Sequence, residues 1–412
     1  MMEIAGKYNT AVCYATVIED EAAEQIKRMC DYEFTRGSKI RIMPVVHAGK
    51  GCTIGNTMTV SVRIVPSIVG VDIGCGMYTV SLGPGEMDFL RLDAAVRRIP
   101  SGLDVWDREQ AFFDLSELRC FSDLKNIDRL RRSLGTLGGG NHFVEADVSR
   151  DGTHYLVIHS GSRNLGKQVA DIYQKRAIRQ QQDGGFQERR QQLVAELKAQ
   201  GRQREISRAL QDLAESFAVS AVPEDLASLS GEELQNYIHD AEICQRFARR
   251  NREIMAELIL EEAGLKGLTS FHTVHNYIDA AEMILRKGAI SARKGELVLI
   301  PVNMRDGSIL ARGRGNPEWN YSAPHGAGRL MSRTKAMKTL SLEEYRKTMA
   351  GVYSTSVNAA TLDEAPMAYK SLADIIGTAR ETADIIEVLR PVYNFKASQD
   401  GPAPAGKPRG SA

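Results

Sequence analysis

A carboxylate and a thiol stand three residues apart in the segment Gly70-Val71-Asp72-Ile73-Gly74-Cys75-Gly76. At this spacing both side chains can converge on one cation, and the surrounding glycines permit the tight turns that convergence needs. The pair is also compatible with a buried cysteine beside a loop aspartate. The segment alone therefore suggests a metal site without establishing one.

A second segment places three consecutive glycines, Gly138 to Gly140, directly before Asn141, His142 and Glu145. Without Cβ atoms, the backbone N–H groups of such a run can approach phosphate oxygens closely. The alternative is a flexible turn before a strand, with His142 as an ordinary hydrogen-bonded polar residue. The density of reactive side chains favours a functional site.

Two further histidines are candidate metal ligands. His159 follows the apolar run Tyr155-Leu156-Val157-Ile158 and precedes Arg163, whose guanidinium offers a two-pronged donor for a phosphate. His275 follows His272 by three residues, and we interpret His272 as structural.

Together these segments supply oxygen, sulfur and nitrogen ligands, namely Asp72, Cys75, His142, His159 and His275. Such a set can hold two cations if the thiolate is shared between them. The affinity order of divalent metals would favour zinc or copper over manganese. The residues therefore predict a transition-metal site but do not identify the metal.

His325 has different surroundings, because it stands in Pro324-His325-Gly326-Ala327-Gly328-Arg329. Its small neighbours leave the imidazole accessible, and their amides can cradle a charged group. A neutral imidazole that attacks phosphorus forms a labile phosphoramidate, which can pass the phosphoryl group on. A further metal ligand or a general base are the alternatives for this residue.

The elements that must position these residues change character along the chain. Residues 1–170 are strand-rich, 167–264 form long polar helical sequence, and strands return from Leu268. Because motif residues lie on both sides of the helical stretch, we predict an α+β fold. A single catalytic domain at 1–396 would carry a helical insert at about 167–264 and be followed by a disordered tail at 397–412.

The insert is predicted to be a solvated helical hairpin. Between Ile172 and Asp212 there are nine Lys and Arg residues against five Asp and Glu residues. This modest excess of positive charge is typical of a solvent-facing helical surface. A helical surface that grips RNA is the alternative.

Composition narrows the class of protein. The 412 residues carry a net charge of only +1, so any contact with nucleic acid would need a local basic patch. Six scattered cysteines without a Cys-x-x-Cys pair suit a reducing compartment. We see no signal peptide and no apolar run of membrane-spanning length, and we expect a cytoplasmic protein without membrane contact.

From about Ala11 to Lys396 the chain resembles the RtcB family of RNA-splicing ligases. The matching segments occur in the family's order and are Val71 to Gly76, Gly138 to Glu145, His159 to Gly166, His275 to Tyr277, Ser322 to Lys335, and Asp363 to Lys370. The resemblance implies an α+β fold whose mixed sheets surround two manganese ions. The five ligands named above would hold the ions, with Cys75 shared.

The resemblance also implies a GTP site, in which Glu145 reads the base edge, Tyr369 stacks on guanine and Lys396 contacts the nucleotide. The full set of residues implied to bind GTP is Asn141, His142, Phe143, Val144, Glu145, His275, Asn276, Pro301, Val302, Asn303, Met304, Ser308, His325, Gly326, Ala327, Gly328, Tyr369 and Lys396. Arg163 would contact the RNA substrate.

The reaction implied is GTP-dependent joining of an RNA 3′-phosphate or 2′,3′-cyclic phosphate to a 5′-hydroxyl. It would pass through GMP bound to His325 and then through GMP on the RNA 3′ end, in RNA repair or tRNA splicing. A metal-dependent phosphoesterase that opens cyclic phosphates without ligation is an alternative, and a non-catalytic RNA-binding protein is another. We expect a monomer.

Several positions depart from the family's usual residues. Val45 stands where Asp is usual, Val302-Asn303 replaces a Gly-Ser pair, Arg305 replaces Gly, and Pro324 replaces Ser. These changes lie near the implied nucleotide site and suggest a divergent branch that serves RNA repair.

Overall fold

The structure is a computed structural model that describes residues 1–49, 51–183, 186–216 and 222–396. The tail predicted at 397–412 lies outside the described residues. Within them, helices and strands alternate along one chain, and no helix combines the length and apolar character needed to cross a bilayer.

Strands are numbered in chain order. They are β1 (Met2–Ala5), β2 (Thr10–Cys13), β3 (Ile40–His47), β4 (Ile54–Thr59), β5 (Arg63–Ile64), β6 (Gly76–Pro84), β7 (Phe143–Val148), β8 (Thr153–Ser160), β9 (Leu229–Ser230), β10 (Thr269–Val274), β11 (Asn276–Asp279), β12 (Ile284–Lys287), β13 (Ala289–Ser291), β14 (Leu297–Asn303), β15 (Gly307–Gly313), β16 (Ser322–Pro324) and β17 (Ala383–Lys396).

Helices are numbered in the same way. They are α1 (Asp20–Cys30), α2 (Pro66–Val69), α3 (Phe89–Arg97), α4 (Ile127–Arg132), α5 (Arg163–Asp183), α6 (Phe186–Ala199), α7 (Ile206–Ser216), α8 (Gly231–Ala263), α9 (Arg333–Thr339), α10 (Leu342–Thr348) and α11 (Leu372–Ala379). Short 3-10 helices occupy Glu33–Thr35, Phe121–Asp123, Gln203–Glu205, Glu224–Leu226, Pro317–Trp319, Ala359–Glu364 and Pro366–Ala368.

Two large sheets organise the described residues. A seven-stranded sheet has the order β10-β6-β8-β7-β17-β15-β14, and a six-stranded sheet has the order β1-β2-β3-β4-β12-β11. The seven-stranded sheet is antiparallel throughout, whereas the other sheet contains one parallel pair, β2 with β3. Strands from both sides of the helical stretch share each sheet, and the prediction of an α+β fold is confirmed.

Strand β7 shows how the seven-stranded sheet separates a core face from a site face. Val144 and Ala146 are fully buried and pack with Ile158 and with residues of α8. Because side chains alternate along a strand, Glu145 and Asp147 lie on the opposite face. Side-chain direction on β7 is therefore set by the apolar residues that cover the core face.

Helix α8 belongs to the protein interior. Its 33 residues include a buried stripe to which Phe247, Met255 and Ile259 belong, and it contacts both β6 and β8. The predicted solvated hairpin therefore does not describe the whole helical stretch, because a long helix can bury one face despite many charged residues. The helical segment also begins earlier than predicted, since α5 starts at Arg163.

Asn251 of α8 joins the helix to two loops that bear site residues. Its Oδ1 accepts hydrogen bonds from the backbone N–H groups of Gly135 (2.7 Å) and Thr136 (3.0 Å). Its Nδ2 donates to the carbonyls of Thr136 (3.1 Å) and Gly161 (3.2 Å). The side chain is fully buried.

We expect Asn251→Ala to lower the free energy of unfolding by about 2–4 kcal/mol, because it leaves several buried backbone groups without partners. Urea denaturation followed by circular dichroism measures the change. Arg249→Ala on the exposed side of the same helix is the control and should change stability by less than about 0.5 kcal/mol. Equal effects of the two substitutions would contradict this role of Asn251.

Candidate active site

Four neighbouring strands bring the predicted metal ligands to one edge of the seven-stranded sheet. Cys75 immediately precedes β6, His142 immediately precedes β7, His159 is near the end of β8, and His275 follows β10. Because these neighbours run antiparallel, the starts of β6 and β7 meet the ends of β8 and β10. The strand order thus gathers residues that are up to 200 positions apart.

The Cys75 sulfur lies at the centre of this cluster. Sγ is 3.5 Å from Nε2 of His142 and 3.4 Å from Nε2 of His159. Two groups with metal-ligand spacing result, one of Cys75, His159 and His275 and the other of Asp72, Cys75 and His142. Cys75 is the member common to both groups.

Backbone carbonyls fix the orientation of two of the imidazoles. Nδ1 of His142 donates to the carbonyl of Leu137 (2.8 Å), and Nδ1 of His159 donates to the carbonyl of Asn141 (3.0 Å). Since a carbonyl only accepts, each Nδ1 carries a proton, and the Nε2 of each ring faces Cys75. This is the arrangement that a metal-ligating histidine requires.

The cluster fits a cation because atoms that can ligate a metal converge in it. Nε2 of His142 is 3.1 Å from Oδ2 of Asp72, and Nε2 of His159 is 3.0 Å from Nε2 of His275. Burial, followed by repulsion from His142, lowers the pKa of His159 well below its usual value, so this ring is neutral. Facing acceptors in a buried site are stabilised when a cation lies between them.

Two glycines allow these segments to approach each other. A Cβ at Gly161 would collide with the Asp72 carboxylate, and a Cβ at Gly138 would collide with the guanidinium of Arg163. Gly138 also has a φ of +85°, which L side chains rarely adopt. Glycine is therefore required at both positions for packing around the cluster.

Arg252 of α8 supports the cluster from behind. Its Nη1 donates to the carbonyl of Gly74 (2.8 Å), beside Cys75, and to that of Ser160 (2.7 Å), beside His159. The side chain is fully buried. Burial lowers its pKa to about 10, which leaves it charged at neutral pH near Cys75 and Asp72. One guanidinium thus ties together two ligand-bearing segments.

A cavity opens beside the His159–His275 side of the cluster. His325 lies on its wall, half-buried, with its ring stacked on His275 at a centroid distance of 5.0 Å and an angle of 20°. Burial, followed by the nearby His47, lowers the pKa of His325 to about 4. The imidazole is therefore neutral at physiological pH, as a nucleophile must be.

Comparison with known proteins shows which family combines such a cluster with a neighbouring histidine. The sequence model of the family described as "tRNA-splicing ligase RtcB" matches residues 25–118 and 114–397. The chain belongs to the RtcB family. It is 29% identical over 422 residues to the RNA-splicing ligase RtcB of Escherichia coli K12, a match that covers 92% of this chain and 95% of that protein. It is 25% identical over 452 residues to the tRNA-splicing ligase RtcB of Aeropyrum pernix, with 85% and 86% covered.

Most residues that the RtcB resemblance implies for the nucleotide line the same cavity. They are Asn141, Phe143, Glu145, His275, Pro301, Val302, Asn303, Met304, His325, Gly326, Ala327, Gly328, Tyr369 and Lys396. Four others lie outside its wall, and one of them, His142, lines a neighbouring cavity. Val144 faces the core, Asn276 accepts a hydrogen bond from the backbone N–H of Gly288 (3.2 Å), and Ser308 is fully buried.

Sequence reasoning missed a charged network on the cavity wall. The buried carboxylate of Glu364 accepts from the Tyr369 hydroxyl (2.7 Å) and pairs with Lys396 (2.7 Å), Arg329 (3.3 Å) and Arg333. Although burial opposes it, the charges of Lys396 and Arg333 lower the pKa of Glu364 to about 2. Tyr369 and Lys396 were predicted to bind the nucleotide, and Glu364 lies in the family segment Asp363 to Lys370. The spacing of Arg329 and Arg333, four and eight residues after His325, is the sequence signal for the remaining members.

Asn394 and His47 are two other cavity residues that were not predicted. Asn394 donates to Oε2 of Glu145 (2.6 Å), and it stands two residues before Lys396 on the same strand. The alternation of side chains along β17 would have placed the two on one face. His47 had no distinguishing neighbour in the sequence apart from its glycine-rich segment.

A second cavity lies on the Asp72–His142 side of the cluster and contains the basic side chains of Arg129, Arg163 and Lys167. Arg163 is not a free two-pronged donor. Its Nε donates to Thr136 Oγ1 (3.1 Å) and its Nη2 to the carbonyl of Gly102 (2.8 Å). The cluster therefore separates two cavities, one next to His325 and one with basic walls.

The altered loop at the end of β14 forms a self-contained turn. Oδ1 of Asn303 accepts from the backbone N–H groups of Arg305 (3.0 Å) and Asp306 (2.9 Å). The Arg305 side chain pairs with Asp306 (2.7 Å). The charge introduced at Arg305 is thereby balanced locally. Pro324, in the other altered segment, lies on β16 opposite Ala289.

Cobalt(II) can test whether Cys75 ligates a metal, because a thiolate bound to this ion gives a sulfur-to-metal charge-transfer absorption. We expect the band in the wild-type protein and its loss in Cys75→Ser. The matched control is Cys13→Ser, which replaces another fully buried cysteine in the six-stranded sheet and should retain the band. A band of unchanged intensity in Cys75→Ser would rule out ligation by this sulfur.

Proposed function

We propose that this protein is an RNA ligase that uses GTP and two manganese ions, with His325 as the residue that carries GMP. The observation that supports the proposal most directly is the position of His325. This neutral, half-buried histidine stacks on a predicted metal ligand and faces a cavity. A hydrolase that opens cyclic phosphates has no need for such a nucleophile.

The two predicted ions are assigned to the two ligand groups that share Cys75. Asp72, Cys75 and His142 would hold one, and Cys75, His159 and His275 the other. When bound, such ions neutralise charge on phosphate oxygens. The choice of manganese follows the family resemblance, since the donor set alone would favour zinc or copper.

We assign the guanine base to the end of the cavity formed by Glu145, Tyr369 and Lys396. An ionised Glu145 can accept hydrogen bonds from the N–H groups on the edge of guanine. Asn394 fixes this carboxylate, and Arg329 lies over the Tyr369 ring at 5.0 Å from its centroid. The phosphates would then extend towards His325 and the small residues Gly326 to Gly328.

Three bond exchanges make up the proposed reaction. His325 attacks the α-phosphorus of GTP, the N–P bond forms, and the bond to pyrophosphate breaks. An oxygen of the RNA 3′-phosphate then attacks the same phosphorus and displaces the histidine. Finally, the 5′-hydroxyl of the second RNA attacks the 3′-phosphate, loses its proton and displaces GMP. A 2′,3′-cyclic phosphate would first be opened by water.

The RNA ends are assigned to the second cavity. Arg129 and Lys167 supply positive charge there, and Asp72 and His142 of the cluster reach the same space. We expect these basic side chains to attract RNA phosphates, and the attraction should weaken as the salt concentration rises. Arg163 would act mainly by shaping this cavity, because two of its donors are already engaged by the protein.

The decisive experiment incubates the protein with manganese and GTP labelled at the α-phosphate. We expect a protein–GMP adduct that is labile in acid and stable in alkali, as a phosphoramidate is, and its complete loss in His325→Ala. His154→Gln, a control on β8 away from the cluster, should keep the adduct. The cobalt band should persist in His325→Ala, so loss of label cannot be attributed to loss of metal. Absence of label in folded, metal-loaded wild-type protein would overturn the proposal.

The stacking role of Tyr369 predicts a difference between two substitutions. Tyr369→Ala should raise the dissociation constant for GTP about 5- to 150-fold, because stacking of a base on an aromatic ring contributes about 1–3 kcal/mol. Tyr369→Phe keeps the ring and loses only the hydroxyl contacts with Glu364 and Arg329. Isothermal titration with GTP measures both constants. A phenylalanine variant as weak as the alanine variant would argue for the hydroxyl and against stacking.

A further inference from the structure

Asp147 is a buried acid to which the proposed reaction assigns no task. It follows Glu145 by two residues on β7, so both carboxyl groups lie on the same face of the sheet. Asp147 is 0% exposed and Glu145 is 3% exposed. No donor among the described residues reaches either carboxylate oxygen of an ionised Asp147, and its hydrogen-bonding neighbour on this face is the Glu145 carboxyl group.

The surroundings of the two acids differ. Glu145 accepts a hydrogen bond from Asn394 Nδ2 (2.6 Å) and is influenced by the positive charge of Lys396. The negative charge of Glu145 raises the pKa of Asp147, and the buried hydroxyl of Ser308 lowers it. Tyr155 of β8 and Pro391 of β17 are its register partners, and neither contributes a positive charge. Positive charge and amide donors thus favour ionisation of Glu145 over Asp147.

Two adjacent buried carboxylates cannot both be ionised without a large electrostatic cost. Burial, together with the charge of Glu145, raises the pKa of Asp147 well above its usual value. Burial also raises the pKa of Glu145, to about 7, although Asn394, Asp147 and Lys396 oppose this increase. When the pair holds a single proton, that proton therefore lies on Asp147 and Glu145 is ionised.

We propose that Asp147 is a positioning residue for Glu145: its neutral carboxyl group donates a hydrogen bond that holds the Glu145 carboxylate ionised and oriented towards a purine edge rich in N–H donors. The inference rests on the proposed role of Glu145 in reading the base. It explains why a second acid is tolerated in a buried position with no cation or amide of its own. Guanine, which offers two adjacent N–H donor groups, is the base that this arrangement favours.

The test compares the binding of GMP and AMP to metal-loaded protein across about pH 6 to 8 by isothermal titration. The two ligands share ribose and phosphate, so the ratio of their dissociation constants isolates the base edge from effects of pH on the metals. In the wild-type protein the preference for GMP should fall as the pH drops through about 7, where Glu145 gains a proton. Glu145→Gln should have little preference at any pH.

Asp147→Ala removes the donor, so the pKa of Glu145 should rise further and the loss of preference should move to higher pH. At neutral pH we expect the preference for GMP to fall about fivefold, because a rise of one unit from a pKa of about 7 lowers the ionised fraction of Glu145 from about one half to about one tenth. Asp147→Asn keeps a neutral donor of the same shape and should behave like the wild type. If the alanine variant does not fold, Asp147→Leu, which keeps the branched shape in a larger apolar side chain without a donor, replaces it.

Two outcomes would overturn the role of Asp147. One is an unchanged pH profile in folded Asp147→Ala or Asp147→Leu, and the other is an asparagine variant that loses the preference as the alanine variant does. A wild-type protein without any preference for GMP would instead refute the assignment of Glu145 to the base. The adduct experiment with labelled GTP tests the ligase reaction independently, so failure of this inference and failure of the proposed function can be told apart.

Discussion

One sulfur atom belongs to two groups of candidate metal ligands, and this constrains the whole structure. Sγ of Cys75 must lie within about 3.5 Å of two imidazole nitrogens that belong to different strands. Antiparallel order solves this problem, because β10, β6, β8 and β7 place two strand starts and two strand ends along one edge. A shift of register by one residue would move His159 to the other face of the sheet and dismantle the cluster.

The interior helix α8 makes this edge rigid. Asn251 and Arg252 are consecutive, and both bond backbone atoms of the loops that carry the ligands. A buried guanidinium is costly unless negative charge lies nearby. Here the ionised Asp72 provides that charge, so the helix and the cluster stabilise each other. Hydrogen bonds from this core helix thus stabilise the candidate site directly.

Much of the site could be predicted because its residue types are unusual in combination. Cys75, His142 and His325 stand in glycine-rich segments, and such segments are visible without a structure. The pairing of Glu364 with Arg329 and Arg333 could not be predicted, because these are ordinary charged residues that come from different segments. The buried face of α8 was missed for a related reason: charged residues on the exposed face hid the apolar stripe. Arg163, predicted to bind substrate, lines the second cavity, but two of its donors are engaged by backbone and hydroxyl oxygens that no sequence pattern reveals.

The environment of His325 bears on how such a residue could both accept and release a phosphoryl group. Its Nδ1 is buried without a hydrogen-bond partner among the described residues, and Val45 stands where the family usually has a carboxylate. The ring is held by stacking on His275 instead. An imidazole whose pKa is held near 4 is a weaker nucleophile but a better leaving group. In a two-step transfer, slower formation of the N–P bond would thus be accompanied by easier cleavage, and the nearby cations would have to offset the first effect.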